Sequence, residues 1–433
     1  MYIDDSNDYL FLHPELLDVY NKELRDELRN ILTFWHDKML DTVRGEGFFG
    51  EMTKDGTIIT DAPKGGILNG RILWSFSAGA RTNYNPEQTA MYTETAKIAF
   101  DYIRKYFYDS TNGGFYWSVD ADGKPLDTKK QAYAQGFMIY GLSEYYRLTA
   151  DTEALRLAEE TYHLMETHFR DHDNGGYTEA LAADWSPLED MRLSDKDLNA
   201  PKSMNTHLHI LEPYANLYRA HPTDELKESI FHCIDIFRNK IINAETHHFD
   251  LFFDMQWNRV GPKIESYGHD VEGAWLIYEA AELVADEAYL TELTKTLQLL
   301  YNAGRNVSNI IFQTLDDGSQ VYTNALYYER IEKELDRDKH WWPQAEAMVA
   351  CADAWRLQYG NMPNYNLQLS MGYWKFINEN LIDKETGEWR WRVNNDNADV
   401  YDDPRCGFWK CPYHNSRAMM EVIHRLEKYK YQL

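Results

Sequence analysis

The sequence predicts an all-α fold, an (α/α)6 barrel with short β-hairpins at one rim. Three features lead there: long stretches of helical periodicity, a short turn that recurs between them, and a copy number near six. Pro14 to Met39 opens the series, with Leu16, Leu17, Tyr20, Leu24, Leu28, Ile31, Leu32 and Trp35 at the three- and four-residue steps of one helical face. Glu87 to Tyr108, Gln135 to Thr149, Asp151 to Phe169 and Asp224 to Lys240 behave likewise. So do Glu272 to Ala285, Asp286 to Asn302, Gln344 to Tyr359 and His414 to Tyr429. Between them a Gly- or Asp/Asn-containing turn leads into aromatic or apolar residues, at Gly45 to Gly50, Asn112 to Trp117 and Asn174 to Glu179. Looser copies are His248 to Phe253, Asp316 to Val321 and Thr386 to Trp391. Successive copies lie roughly 60 to 75 residues apart, room for two helices and two connections. Strand-like alternation is confined to pieces beside the turns, such as Phe115 to Val119 and Trp389 to Val393, which read as small hairpins. Six helical pairs of this kind can close into an inner and an outer ring with a ligand site at one mouth; an open solenoid is the alternative. No Pro/Ser-rich linker interrupts the chain, so residues 1–433 read as one domain.

Composition narrows the function. With 44 basic against 70 acidic side chains the formal net charge is -26, and no Lys/Arg cluster is present to hold phosphates or an anionic membrane surface. Apolar runs fall short of the ~18 residues that suggest a membrane span, and the opening Met1 to Asp5 is acidic where a signal peptide is basic. Cys233, Cys351, Cys406 and Cys411 are too few and scattered for a disulfide framework. The expectation is a cytoplasmic protein, a monomer or weak dimer, with no nucleic-acid or membrane partner. Aromatics make up 14% of the chain, 13 of them Trp and 31 Tyr. Much of that fills a helical core, but broad rings with a polar edge also suit sugars.

Chemistry concentrates in a few clusters. Arg71 follows a glycine-rich, flexible stretch (Gly65-Gly66, Asn69-Gly70) and begins an apolar segment, where a desolvated guanidinium can face an oxyanion. In Asn205-Thr206-His207-Leu208-His209, residues two apart on a helix point about 200° from each other, so Asn205 and His209 share one face and His207 turns into packing. A zinc pair needs those histidines on a strand, which argues against metal. After Gly268, His269 and Glu272 share a face at i, i+3, and a carboxylate there would fix the imidazole's tautomer. The E-x-x-H matches, Glu245 with His248 and Glu421 with His424, lie in other contexts and make no di-metal bundle. Trp341 and Trp342 precede a first-turn Pro343, with Glu346 just after. His414 follows Pro412, and Trp409 sits five residues before it. The C-x4-C pair Cys406 and Cys411 has no second pair and makes a poor zinc site.

P-loops, dinucleotide fingerprints and nucleophile elbows are absent. What remains is imidazoles, an arginine, carboxylates and indoles. Imidazole titrates near neutrality and can both take and return a proton. A hydrogen beside an aldehyde is acidic enough for such a base if the developing enolate oxygen is stabilised, a task suited to Arg71. Two imidazoles on opposite faces of that carbon would invert it without a cofactor.

Several runs carry a family resemblance: Met204 to Tyr214 (MNTHLHILEPY), Tyr267 to Glu272 (YGHDVE), Asp338 to Ala347 (DKHWWPQAEA) and Trp409 to Arg417 (WKCPYHNSR). With Leu68 to Trp74 and Gln131 to Phe137, they resemble the cellobiose 2-epimerases of the N-acylglucosamine 2-epimerase superfamily, in family order across nearly the whole chain. The resemblance implies an (α/α)6 barrel and reversible epimerisation at carbon 2 of a reducing-end sugar, such as that of cellobiose, mannobiose or lactose. It implies an enediol or enediolate intermediate after ring opening, with neither metal nor other cofactor. Carried over, His269 and His414 resemble the acid/base pair, their order left open, and His209, oriented with Glu272, resembles a third catalytic histidine. Arg71, Asn205 and Tyr133 resemble residues holding the oxygens of the epimerised sugar; Trp341, Trp342 and Trp409 its stacking aromatics; Glu346 and Asp197 its polar contacts. Tyr301 to Lys339 and Asp254 to Glu265 look longer than in the disaccharide enzymes, which keeps a mannose/glucose 2-epimerase as the runner-up. A glycoside hydrolase would need Glu272 and Glu346 opposed across a glycosidic bond and would leave three histidines idle. A non-catalytic sugar-binding protein would need the aromatics but no imidazole pair. An aldose–ketose isomerase shares the first proton removal and is an expected side activity.

Overall fold

Twelve α-helices among the described residues alternate between two concentric rings. The structure, a computed structural model, describes residues 14–314, 320–360 and 363–429. The outer ring is α1 (Pro14–Met39), α3 (Thr89–Tyr102), α5 (Thr152–His168), α7 (Asp224–Ile236), α9 (Glu287–Arg305) and α11 (Pro363–Phe376). The inner ring is α2 (Gly66–Thr82), α4 (Ala132–Thr149), α6 (Met204–Ala220), α8 (Tyr267–Val284), α10 (Trp341–Arg356) and α12 (Tyr413–Tyr429). Each inner helix packs on the next, and α12 closes on α2, so the chain is an (α/α)6 barrel and not an open solenoid. The outer partner of α12 is α1, from the opposite end of the chain. Trp35 Nε1 donates to Glu388 (2.6 Å) and the Tyr20 and Ser370 hydroxyls meet at 3.0 Å, which ties α1 to the last repeat.

The rim-side halves of the inner helices are buried on nearly every face. In α2 the burial is continuous from Gly66 to Ala80. That leaves α2 no polar stripe for periodicity to reveal. The glycines before and within α2 are therefore packing residues, and the flexible stretch expected ahead of Arg71 is regular helix from Gly66 onward. A Cβ at Gly70 would lie 2.8 Å from the Phe137 carbonyl oxygen, and one at Gly136 2.3 Å from that of His209. The backbones of α2, α4 and α6 approach that closely only because neither position has a side chain.

The recurring turn is one device used five times. After an outer helix, Asp41, Asp109, Asp171, Asn243 or Asp383 accepts two backbone N–H bonds through a single Oδ1. The chain then reverses into bridges such as Leu40↔Phe48 and Tyr108↔Phe115. The copy expected from Asp316 lies outside the described residues, as does the acidic opening Met1 to Asp5. Four of the turns lead to a short strand that pairs with the strand entering an inner helix, in registers Lys64↔Val119, Lys130↔Leu181, Lys202↔Phe253 and Lys339↔Val393; after the first, Glu51–Met52 pairs with Ile58–Ile59 and Met52 bridges Cys406. Buried ion pairs lock three of these junctions: Lys64–Asp41 (2.7 Å), Lys130–Asp109 (2.8 Å) and Lys202–Asp171 (2.7 Å). All the hairpins thus sit at the end where inner helices begin. Before α8 the arrangement differs: Ile264–Ser266 pairs with Glu329–Ile331, which pairs with Glu334–Asp336, a three-stranded wall built from the two segments that look long in the sequence. Among the described residues no helix is long and apolar enough to cross a membrane.

Candidate active site

The first two turns of six inner helices converge at the hairpin rim, and nearly every side chain singled out from sequence lies in them. Tyr133 is the second residue of α4, Asn205 and His209 are early in α6, His269 and Glu272 in α8, Trp341, Trp342 and Glu346 in α10, His414 in α12, and Arg71 in α2. Helix N-termini carry partial positive charge, so this mouth favours a developing anion.

Three imidazoles meet there, and in each the protein engages Nδ1. His209 Nδ1 is 3.1 Å from Glu212 Oε2, His414 Nδ1 is 2.7 Å from Glu346 Oε1, and His269 Nδ1 is 2.7 Å from Ser266 Oγ. Nε2 is left in each case as the nitrogen for a ligand. Two expected pairings are corrected by these contacts. Glu272 orients neither His269, which bonds Ser266, nor His209, which bonds Glu212; its Oε1 instead accepts from Arg417 Nη2 at 2.6 Å. Sharing a helical face does not decide the partner when a buried guanidinium offers a full charge.

Arg417 organises the floor. Its Nη2 also donates to Glu346 Oε1 (2.7 Å), and Nη1 bonds Glu212 and the Tyr413 hydroxyl. Tyr413 in turn donates to Glu212. One cation therefore holds three buried carboxyls from α6, α8 and α10, two of which hold catalytic-type histidines. Glu346 is fully buried, with Trp275 Nε1 on Oε2 at 3.2 Å, so it orients His414 and does not meet a ligand at the rim as expected. Glu212 and Arg417 were not singled out from sequence, although each lies three residues after a histidine, the same spacing that drew notice at His269 and Glu272.

Burial drives the electrostatics. It pushes His209 down to about 4 and His269 to about 3, and His414 well below the ordinary imidazole value, so all three rings are neutral at pH 7. Burial works to raise Glu212 as well, but Arg417 and His209 overcome it and hold that carboxylate at about 2. Glu272 is raised well above the usual range by burial and then by the charge of Glu346, and burial also raises Glu346. The donor atoms of Glu272, Glu346 and His414 fall within 4.8 Å of one another, a spacing a metal ion could use. The Arg417 guanidinium bonds both carboxylates and already supplies the cationic charge there.

Around the histidines stand the aromatics. Trp342 meets two of them, its ring 4.6 Å from His269 and 5.8 Å from His414. Tyr133 is 4.8 Å from His209 and 6.1 Å from Trp409. Arg71 donates to the Tyr133 hydroxyl (2.7 Å) and lies over the faces of Phe137 and Tyr413 at 4.1 and 4.5 Å. Trp342 and Trp409 remain partly open, whereas Trp341 is buried against Trp391 at 4.7 Å. His207 bonds the Ser203 carbonyl and the Tyr177 N–H, the packing role its helical position predicts. Asn205, Asp197 and His269 line a side cavity running outward beneath residues 191–200.

A family model described as N-acylglucosamine 2-epimerase (GlcNAc 2-epimerase) matches residues 47–418. A cellobiose 2-epimerase of Bacteroides fragilis is 41% identical over 407 residues, 94% of this chain and 99% of that protein. One of Dictyoglomus turgidum is 35% identical over 412 residues, 95% of this chain and 100% of that protein. The solved structure of cellobiose 2-epimerase from Bacillus thermoamylovorans superposes with a TM-score of 0.84 at 33% identity, covering 94% of this chain and all of that one (100%). On motif order, barrel and match alike, this chain belongs to the N-acylglucosamine 2-epimerase family.

Proposed function

We propose that the chain is a carbohydrate 2-epimerase that inverts carbon 2 of the reducing-end glucose or mannose of a β-1,4-linked disaccharide such as cellobiose, mannobiose or lactose. The observation that carries this reading is that His269 and His414, two neutral imidazoles each with Nδ1 engaged by the protein, both meet the Trp342 ring, at 4.6 and 5.8 Å. Once the ring is open, Nε2 of one imidazole takes the proton from carbon 2. The C–H electron pair becomes the carbon 1–carbon 2 double bond, and the carbonyl π pair moves to oxygen 1. The opposite imidazole then delivers a proton to the other face of carbon 2, and the enediolate collapses back to the aldehyde. Arg71 and the converging helix N-termini stabilise the oxyanion. Each positioned imidazole supplies on the order of 10²–10⁴ in rate. His209, backed by Glu212, serves ring opening and proton traffic at oxygen 1. On this reading the whole chain is one catalytic unit, a monomer or weak dimer of the cytoplasm that needs no metal or cofactor.

Product analysis on cellobiose, mannobiose and mannose side by side in D2O tests the reading. The expected result is deuterium on carbon 2 of both epimers of the disaccharides. Turnover of mannose alone would make it a monosaccharide epimerase, and release of glucose from cellobiose would replace the reading with hydrolysis.

A further inference from the structure

One buried carboxyl beside the cleft has no part in the chemistry above. Glu179 follows the Asn174–Tyr177 turn and is pinned by its backbone, its carbonyl accepting from Ala132 N (2.9 Å) and its N–H donating to the Pro201 carbonyl (3.1 Å). Its side chain is only 3% exposed. Oε2 accepts from Thr206 Oγ1 at 2.6 Å; Oε1 makes no hydrogen bond of good geometry, although Ser203 stands close enough to the carboxyl to favour its charged form. Helix capping does not account for it, because Ser203 Oγ already accepts from Thr206 N at the start of α6.

Glu179 lines the side cavity shared with Asn205, Asp197 and His269. Asn205 Oδ1 is a second buried acceptor without a donor, and Asp197, which accepts from Ser194 Oγ at 2.6 Å, adds a second carboxylate. A cavity walled by unmet acceptors calls for a ligand rich in O–H donors, since a buried acceptor left unpaired costs about 1–3 kcal/mol. Burial pushes Glu179 up to about 7, so near neutrality the group can accept from a hydroxyl or donate to one. Arg71, His209 and His414 are not part of this cavity, which extends from His269 toward residues 191–200.

We propose that Glu179 binds a sugar hydroxyl through Oε1, on a part of the substrate remote from carbon 2, and so sets affinity and specificity without joining in proton transfer. The identity of that sugar rests on the 2-epimerase reading.

Steady-state kinetics of Glu179→Gln and Glu179→Ala test it, using cellobiose and analogues in which each hydroxyl other than those at carbons 1 and 2 of the reducing ring is replaced by hydrogen in turn. Gln keeps the Thr206 contact and the shape. KM is expected to rise about fivefold in Glu179→Gln and about tenfold in Glu179→Ala, with kcat within about threefold of wild type. For one analogue, wild type and variants should show the same KM, which identifies the hydroxyl. Unchanged KM in Glu179→Gln would overturn the proposal, as would an equal KM penalty on every analogue, the signature of a distorted helix start. If wild type itself fails to epimerise cellobiose, the 2-epimerase reading falls instead. Calorimetric binding of cellobiose to wild type and Glu179→Gln then decides about Glu179, and equal affinities would count against it.

Discussion

Replacing Arg417 with methionine removes the one Arg or Lys bonded, among the described residues, to Glu212, Glu272 and Glu346, while keeping most of the side-chain volume. The guanidinium is 1% exposed, so its partners cannot turn to water for compensation. Breaking a buried ion pair by removing one partner costs about 3–5 kcal/mol. Unfolding entropy of ~2.1 cal/mol/K per residue gives ~0.9 kcal/mol/K over 433 residues, so a loss of ~4 kcal/mol lowers Tm by ~4 °C. The deficit should depend on pH with a defined sign. In wild type Glu212 sits at about 2, so its stabilisation is present above the unfolded-state value of 4.5 and is lost as pH falls toward 2. Without Arg417, burial raises all three carboxyls above their unfolded values, and such groups destabilise the fold as pH rises through that window. The Tm gap between wild type and Arg417→Met should therefore be small at pH 5 and widen toward pH 8. Scanning calorimetry at both pH values measures it. Turnover should also fall at least 100-fold, because both His209 and His414 lose their aligned carboxylates. A Tm within ~1 °C of wild type at pH 8, or a gap indifferent to pH, would refute the assignment of Arg417 as keystone.

His269→Asn and His414→Asn should each cut kcat by about 10²–10⁴ with unchanged circular dichroism, and near-wild-type rates in both would remove them from the reaction. Glu346→Gln should lower kcat about 10- to 100-fold with little change in KM, since it holds His414 Nδ1 and touches no ligand. With His209 at about 4 and His269 at about 3, the acid limb of kcat/KM should lie below pH 5; a limb at the ordinary imidazole value would contradict the buried, neutral rings. Prolonged EDTA treatment should leave activity intact, and inactivation reversed by added metal would show that the Glu272, Glu346 and His414 cluster holds an ion.

Much of the fold was legible because outer helices carry an apolar stripe: Pro14 to Met39 is predicted to the residue. Four inner helices show as well, in Gln135 to Thr149, Glu272 to Ala285, Gln344 to Tyr359 and His414 to Tyr429, but α2 hides for the opposite reason. Gly66–Thr82 is buried on nearly all sides and shows no period, and in the outer helix Pro363–Phe376 the run Leu367, Leu369, Met371, Tyr373 alternates as a strand would. The residues singled out by type and by family motif come together at one rim, and the i, i+4 argument matches where the structure puts His209, on Glu212, and His207, on Ser203 and Tyr177. Their partners were not legible. Helical spacing gives which side chains share a face within one helix, whereas Glu346 with His414, Arg417 with Glu272, and Tyr413 with Glu212 each join two inner helices. Those pairings depend on ring closure, which no local pattern encodes. Glu179 escaped for a further reason: it sits in a turn whose glycines drew attention, and only the packing of α6 against it leaves one oxygen without a well-placed donor.

The two imidazoles assigned to carbon 2 are not equivalent, and their surroundings bear on how one site can work in both directions. His269 is backed by a hydroxyl, His414 by a carboxyl whose own ionisation burial opposes. If both rings were simply neutral bases, neither could give a proton back. The raised Glu346 removes that difficulty, because the Glu346–His414 pair can carry one proton between them with no net charge to bury. His414 then acts as the acid while His269 acts as the base. In the reverse direction His269 returns the proton it holds, which is easy to release because Ser266 offers the imidazolium no counter-charge. Arg417 keeps this arrangement from collapsing into a metal site or a swollen cluster of repelling carboxylates. An enzyme whose reaction runs close to thermoneutral in either direction needs acid and base of comparable strength, and on the proposed reading the two buried, differently backed imidazoles that meet Trp342 answer that need.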